Sequence, residues 1–324
     1  MGGSFLRPKI GKSERFETMK TKKAGLIEQI RKNKIVYLML LPGLLFLIIF
    51  ALYPMGWIFK NMFYHNTSFG DFRFIGLENF TKLFHDEMFF NALKNTVVYA
   101  AGKLLITIPL SFGLAFLLNT KLRGRMVFRT VFFMPTIISI SVMSMVFYLI
   151  FNPYNGTVNK LLMGLGLISK PINWFGSGAS MLTVLLVAVW GAVGNYMIYF
   201  LSGLQTIPAD IYESAEIDGA TGWKKFRYIT IPMMAPIAQM VIMLALTQAF
   251  KDYENIMVLT GGGPDNKTEV LYLYIYRLMF PMGDAGGNVA LQYGYGAAVA
   301  FATAILVGII TIIYLRWSKN MSEV

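Results

Sequence analysis

Six long apolar runs alternate with polar intervals along this chain. They cover residues 35–59, 92–118, 128–151, 180–204, 233–250 and 289–315. A helix needs about 20 apolar residues to cross the hydrocarbon core of a bilayer, so each run predicts a membrane span. The first run is interrupted by Pro42 and Pro54, and the third carries Pro135 near its start. The intervals 60–91, 119–127, 152–179, 205–232 and 251–288 read as loops, with a short helical piece at Val158–Leu167 in the third of them. The predicted fold class is all-α and integral to the membrane, with six transmembrane helices. Residues 1–34 form a basic N-terminal segment, 35–316 the six-span domain and 317–324 a short tail. Leu26, Ile27 and Ile30 suggest an amphipathic stretch on the membrane surface, with a basic tail as the alternative. A cleavable signal peptide is not expected, because the following apolar run is too long and lacks a small-residue cleavage site.

Composition agrees with the pattern. Hydrophobic residues make up 56% of the 324 and charged residues 14%, against roughly 25% charged in soluble domains. There is no cysteine and only His65 and His85, so thiol chemistry, disulfides and a His/Cys metal site are not expected. The net charge of +12 invites a nucleic-acid reading, but its distribution points elsewhere. Six spans put both termini on one side. That side then carries 19 of the 29 Lys/Arg, and the other side 8, with Lys94 and Lys103 inside span 2. The positive-inside rule places both termini and the 205–232 interval in the cytoplasm. The charge reports topology and contact with anionic lipid, not nucleic acid.

The 205–232 interval is polar but patterned. Pro208 suits a first helical turn; Ile211, Ser214, Ala215 and Asp218 then share a face, and Gly219 ends the helix. A second short helix carries Trp223, Phe226 and Arg227, and Pro232 is expected to stop it. This helix–Gly–helix knuckle resembles the EAA loop of binding-protein-dependent ABC importer permeases of the sugar-permease type. Glu213, Ser214 and Ala215 stand at the E-A-A places, Asp218, Gly219 and Ala220 at D-G-A, and Ile229 with Ile231–Pro232 at I-x-L-P. Ser214 and Ile231 depart from the pattern. The Phe128–Pro135 stretch and Thr260-Gly261-Gly262-Gly263-Pro264 with Thr268-Glu269 resemble other parts of such permeases, so the likeness runs over residues 90–316. An ordinary hairpin and a turn-rich surface loop are the alternatives for the knuckle and the Gly-rich stretch.

The resemblance implies a type I importer fold in the bacterial inner membrane. It also implies an ATPase-coupling role for Glu213, Ser214, Ala215, Asp218, Gly219, Ala220, Ile229 and Pro232. Two ATPase subunits, a second permease subunit (often a different chain) and an extracytoplasmic solute-binding protein would be its partners. No phosphate loop is present: Gly262–Thr268 lacks a glycine before its lysine. ATP and Mg are therefore expected on the partner subunits, with no cofactor, metal or catalytic residue in this chain.

Polar groups inside spans usually face a bundle interior or a wet cavity. Asn195, Tyr196 and Tyr199 in span 4, with Gln248 and Asp252 at the end of span 5, are candidates for a carbohydrate path. Asn195 and Tyr199 share a face by i, i+4 spacing, as do Gln248 and Asp252, whereas Gln239 points away. Tyrosine rings suit apolar sugar faces and amides suit hydroxyls. Span 3 also offers Ser139 and Ser141, and span 6 opens with Tyr293 and Tyr295. Interhelical hydrogen bonds and an interfacial aromatic belt are the alternatives. Lys103 either snorkels to the outer interface, the preferred reading, or meets an anionic cargo in the cavity. Two other functions fit a six-span chain: an ion-coupled carrier, which would need buried carboxylates, and a scaffold without transport.

Overall fold

The computed structural model describes residues 33–68, 70–120, 122–281 and 291–321, apart from the side chains of 319–321. The amphipathic stretch at Leu26–Ile30, most of the basic segment and the end of the tail lie outside these residues. Among the described residues, five helices are long and apolar enough to cross a membrane: α1 (Lys34–Asn61), α3 (Glu87–Asn119), α7 (Ser180–Gln205), α9 (Gly222–Lys251) and α12 (Tyr293–Met321). A broken pair, α4 (Arg125–Phe133) and α5 (Ile140–Ile150), meets the same test only when its two helices are taken together.

The chain divides into two units, Met1–Ile58 and Phe59–Val324. In the first, Lys34–Leu52 has no buried residue although nearly every side chain is apolar. Hydrocarbon solvates such a surface without penalty, so exposure here carries no cost. Pro54 does not end α1. A π turn over Ile48–Leu52, closed by the Tyr53 amide on the Ile48 carbonyl, lies just before it. The wider turn accommodates a ring that removes one donor from the ladder.

The second unit is built on α7. Val184, Val187, Val193, Met197, Phe200 and Leu204 bury it on several sides. Glycine lets its neighbours come close: a Cβ on Gly194 would lie 1.9 Å from the Phe132 carbonyl oxygen, and one on Gly203 2.9 Å from Met234. Ser111 of α3 donates to the Val193 carbonyl at 2.9 Å. Gln239 of α9 bonds the Ser318 carbonyl at 2.7 Å and accepts from Tyr314 on its own carbonyl at 2.8 Å. It fastens α9 to α12, facing away from the cavity described below.

Span 3 departs from the single run its hydropathy predicts. A 3-10 turn at Met134–Ile137 follows α4, Ile138 and Ser139 are extended, and α5 leaves at 99°. Pro135 lacks the amide an α-helix needs. The freed backbone is re-satisfied locally: Ile138 donates to the Pro135 carbonyl at 3.3 Å and the Thr136 hydroxyl to that of Phe133 at 2.7 Å.

At one end of the bundle a β-hairpin, β1 (Tyr64–Asn66) and β2 (Phe72–Phe74), precedes α2 (Glu78–Phe84). Asp86 caps α3 through the Met88 amide and accepts hydroxyls from Tyr274 and Tyr295. Burial pushes its carboxyl up, but these bonds outweigh that and hold it below the usual range. Tyr295 is thereby committed to a structural node. Helix α6 (Thr157–Gly164) sits where a helical piece was expected, shorter by three residues at its end.

The Gly-rich stretch lies between α10 (Glu254–Leu259) and α11 (Leu271–Met279). It is no simple surface loop. Thr268 and Glu269 are fully buried. Asn91 and Asn95 of α3 donate to the Asn266 carbonyl at 2.9 and 2.8 Å, and Asn95 also to that of Glu269 at 3.0 Å. The Leu271 amide donates to Thr96 at 2.9 Å. Glu269 pairs with Arg277 at 3.1 Å, and Arg277 also donates to the Gly261 carbonyl.

Candidate functional site

Beside the break in span 3 the second unit encloses a cavity of about 460 Å³. The break is what makes the wall: Phe133, Pro135, Thr136, Ile137 and Ile138 line it, because the 99° bend wraps the chain around it. Helix α3 contributes Lys103, α7 contributes Asn195 and Tyr196, and the end of α9 contributes Gln248. The turn into α10 adds Asp252 to Asn255.

Five of the six residues expected along a path thus meet in one cavity. Tyr199 does not: it is exposed on α7, away from the wall. A spacing of four residues drifts about 40° around a 3.6-residue helix, and over one turn the cavity has ended. Gln248 and Asp252 reach the cavity differently from the shared helical face expected of them. Helix α9 stops at Lys251 and Asp252 is extended, with ψ 124°. Ser139, Ser141 and Tyr293 are not among the lining residues.

Lys103 does not snorkel. Its side chain is buried and donates to Asp252 Oδ2 at 2.6 Å. The same oxygen accepts from the Tyr99 hydroxyl at 2.5 Å, and Asn255 donates to that hydroxyl at 3.3 Å. The ammonium also lies 5.7 Å from the Tyr99 ring centroid. A buried charge persists only when paired and hydrogen-bonded, and the pairing across α3 and the α9–α10 turn overrides the tendency to reach water. An ion-coupled carrier would need a free buried carboxylate; Asp252 is engaged by a lysine and a tyrosine. Tyr99 and Asn255 were not singled out in the sequence. Tyr99 was within reach, since it stands four residues before Lys103 on the same face. Asn255 was not, because the end of α9 hides its direction.

The knuckle lies between α7 and α9. Pro208 is the N-cap of α8 (Ala209–Ile217), at φ −60° and ψ 136°, outside the first helical turn where its fixed φ had suggested it. Gly219 is left-handed at φ 77° and completes a Schellman motif: its amide donates to Glu216 at 3.0 Å and that of Ala220 to Ala215 at 2.8 Å. Pro232, expected to stop the second helix, does not. The helix runs on from Gly222 to Lys251. A π turn at Phe226–Thr230, closed by the Ile231 amide on the Phe226 carbonyl, precedes the proline, as in α1. Glu213, Ser214, Asp218, Gly219 and Pro232 are exposed, and Ala215, Ala220 and Ile229 half-buried. Helix α8 has no buried residue. The Tyr212–Thr230 hydroxyl bond at 2.9 Å and the Glu216–Lys225 pair connect it to the start of α9.

A broken helix pair around a cavity of mixed polar and apolar lining, with an exposed helical knuckle between two spans, fits a transmembrane permease subunit. The comparisons make the class specific. Residues 107–322 match the family described as "Binding-protein-dependent transport system inner membrane component", and the chain belongs to that family. It is 34% identical over 302 residues, 91% of this chain and 99% of the relative, to the probable ABC transporter permease protein YurN of Bacillus subtilis. It is 33% identical to the arabinooligosaccharides transport system permease protein AraP of the same organism, covering 89% of this chain and 90% of the relative. A crystal structure of a bacterial ABC transporter involved in import of the acidic polysaccharide alginate contains a chain that superposes with a TM-score of 0.77. Identity there is 26%, covering 91% of this chain and 98% of that one.

Proposed function

We propose that this chain forms half of the translocation path of an ATP-driven carbohydrate importer in a bacterial inner membrane. The observation that carries the reading is the cavity, where Asn195, Tyr196 and Gln248 offer amides and an aromatic ring beside a broken span. Amides exchange hydrogen bonds with hydroxyls and rings cover apolar sugar faces. The names of AraP and of the alginate importer support saccharide cargo. A second permease subunit completes the path, and a solute-binding protein delivers cargo, as the family description suggests.

The chain carries out no covalent chemistry. ATP and Mg belong to two partner ATPases, which dock on the knuckle at Glu213, Ser214, Ala215 and Asp218. Exposed apolar side chains there, Ile217 at 87% and Trp223 at 71%, support a covered surface in the assembly. Both termini and the knuckle lie in the cytoplasm by charge asymmetry, with residues 1–34 as a basic segment and 317–324 as a tail. Closure of the ATPases moves the knuckle and switches access to the cavity.

The test is uptake in vesicles reconstituted with all partners. Asn195→Leu and Gln248→Leu should each reduce saccharide-stimulated uptake per assembled complex while leaving assembly intact. Normal transport with lowered thermal stability would make these amides interhelical glue and remove the cavity from the path. Single cysteines at Gly222 and Asn266 test orientation in intact cells: labelling of 222 and not 266 by an impermeant reagent would invert it.

A further inference from the structure

The cavity holds more charge than a passage for hydroxyls needs, and that charge cancels. Among the described residues lining it, Lys103 and Lys251 are opposed by Asp252 and Glu254. Only one opposite pair is in contact and buried: Lys103 Nζ and Asp252 Oδ2, at 2.6 Å with side chains 11% and 12% exposed. We infer that the path is tuned for electrically neutral cargo, and that Asp252 sets this preference by cancelling the charge of Lys103. The inference rests on the carbohydrate reading and names the cargo class within it.

An anionic cargo, such as a chain of uronate sugars, would be drawn to the only buried lysine on the wall. It would find the ammonium already occupied. Its carboxylate would also come within bonding distance of that of Asp252, and like charges in a partly desolvated site repel. Displacing Asp252 is no remedy, since Tyr99 donates to the same oxygen and Asn255 braces Tyr99. The clasp ties α3 to the α9–α10 turn, and moving the carboxylate away would leave a buried charge unpaired. A neutral saccharide meets no such barrier. Its hydroxyls have Asn195, Gln248 and Tyr196 to bond, and the clasp remains closed.

The distinguishing substitution is Asp252→Asn, which keeps the shape and an acceptor for Tyr99 while unmasking Lys103. The experiment is equilibrium binding to the assembled complex in nanodiscs, without the solute-binding protein, read by saturation-transfer NMR. Probes are matched neutral and uronate trisaccharides of the glucose, galactose and mannose series. Wild type should favour the neutral member of each pair. Asp252→Asn should raise the uronate-to-neutral affinity ratio about tenfold or more, and added salt should shrink that gain. Lys103→Met combined with Asp252→Asn should bring the ratio back near wild type, since no unmasked cation remains. A wild-type preference for uronates would overturn the inference without any variant. So would an unchanged ratio in Asp252→Asn, or an equal loss of both ligands, which would make the clasp purely structural. If no trisaccharide of either kind binds wild type, the carbohydrate reading falls and this inference with it. Neutral binding with an unmoved ratio overturns the inference alone.

Discussion

Gly219 and Gly262 share a left-handed backbone, at φ 77° and 86°, and little else. A Cβ on Gly219 would meet nothing within 4 Å. One on Gly262 would lie 1.9 Å from Glu269 Oε2 and 2.9 Å from Arg277 Nη2. The first glycine is required only by its own torsion; the second is also required by what surrounds it. The same contrast runs through the two regions they belong to. The Gly-rich loop is closed on itself and on α3 by side-chain bonds around a fully buried glutamate. The knuckle has no buried residue in α8 and keeps apolar side chains in the open. One region is finished within the chain, and the other is shaped to be completed by something else.

The largest effects should therefore come from the finished region. Gly262→Ala adds strain of about 1–2 kcal/mol and forces the Glu269–Arg277 pair apart, for a total loss on the order of 4 kcal/mol. Thermal unfolding of the purified chain measures it, and a loss as small as that of a mutation at Gly219 would erase the contrast. Arg277→Met should cost about 1 kcal/mol at pH 8, by removing the positive charge beside a buried carboxylate. Its pH dependence is the sharper signature. Burial pushes the Glu269 carboxyl from 4.5 up to about 7, with Arg277 pulling the other way. Below pH 4.5 the carboxyl is protonated in folded and unfolded chains alike, and there is no penalty. As pH rises toward 7 the unfolded chain ionises first, so stability falls, by about 3 kcal/mol in all, and then levels. Without Arg277 the folded carboxyl titrates higher still, so the decline continues past pH 7. The variant should thus lie close to wild type at pH 5 and about 1 kcal/mol below it at pH 8. Parallel curves would show that Glu269 does not ionise in this range.

The knuckle should respond in function more than in stability. Gly219→Val strains one torsion by about 1–2 kcal/mol without a clash, yet re-aims the helix that follows. ATPase co-purification or ATP-driven uptake should drop at least severalfold, more than for Glu213→Ala, while Gly219→Asn should largely restore both because asparagine visits the left-handed region. Full activity in Gly219→Val would mean that the knuckle is not the coupling element.

The contrast also explains what the sequence disclosed. Spans and knuckle are local: apolar length gives a crossing, and a glycine after a helical face gives a C-cap, so both are legible residue by residue. The break in span 3 was half-legible. Pro135 announced a disturbance, but the 99° bend depends on Gly194 letting the Phe132 carbonyl approach from another helix. Pro232 misled for the same kind of reason: the preceding π turn absorbs it, and nothing in the local pattern marks a π turn. The cavity residues were partly found, because polar groups inside spans are rare. Their partners were not. Lys103 with Asp252 and Glu269 with Arg277 are pairings whose energy comes from burial, which depends on how the helices meet.

The smallest effect should come from the pair that looks most like a fastener of the knuckle. Glu216 and Lys225 stand on either side of Gly219 and are joined by a salt bridge, inviting the view that it sets the angle between the helices. Solvent argues against this. The Glu216 side chain is 65% exposed, and pairs in water return about 0–1 kcal/mol once screening and side-chain entropy are counted. The angle is fixed instead by backbone bonds, from Gly219 to Glu216 and from Ala220 to Ala215, which need a left-handed residue and no particular charge. Lys225→Ala should therefore shift the unfolding midpoint by no more than a degree or two, about 0.5 kcal/mol at most, and leave ATPase co-purification within twofold of wild type. If Lys225→Ala instead matched Gly219→Val, the salt bridge and not the glycine torsion would be holding the knuckle. The contrast between a region finished by side chains and one shaped by its backbone would then fail at its simplest point.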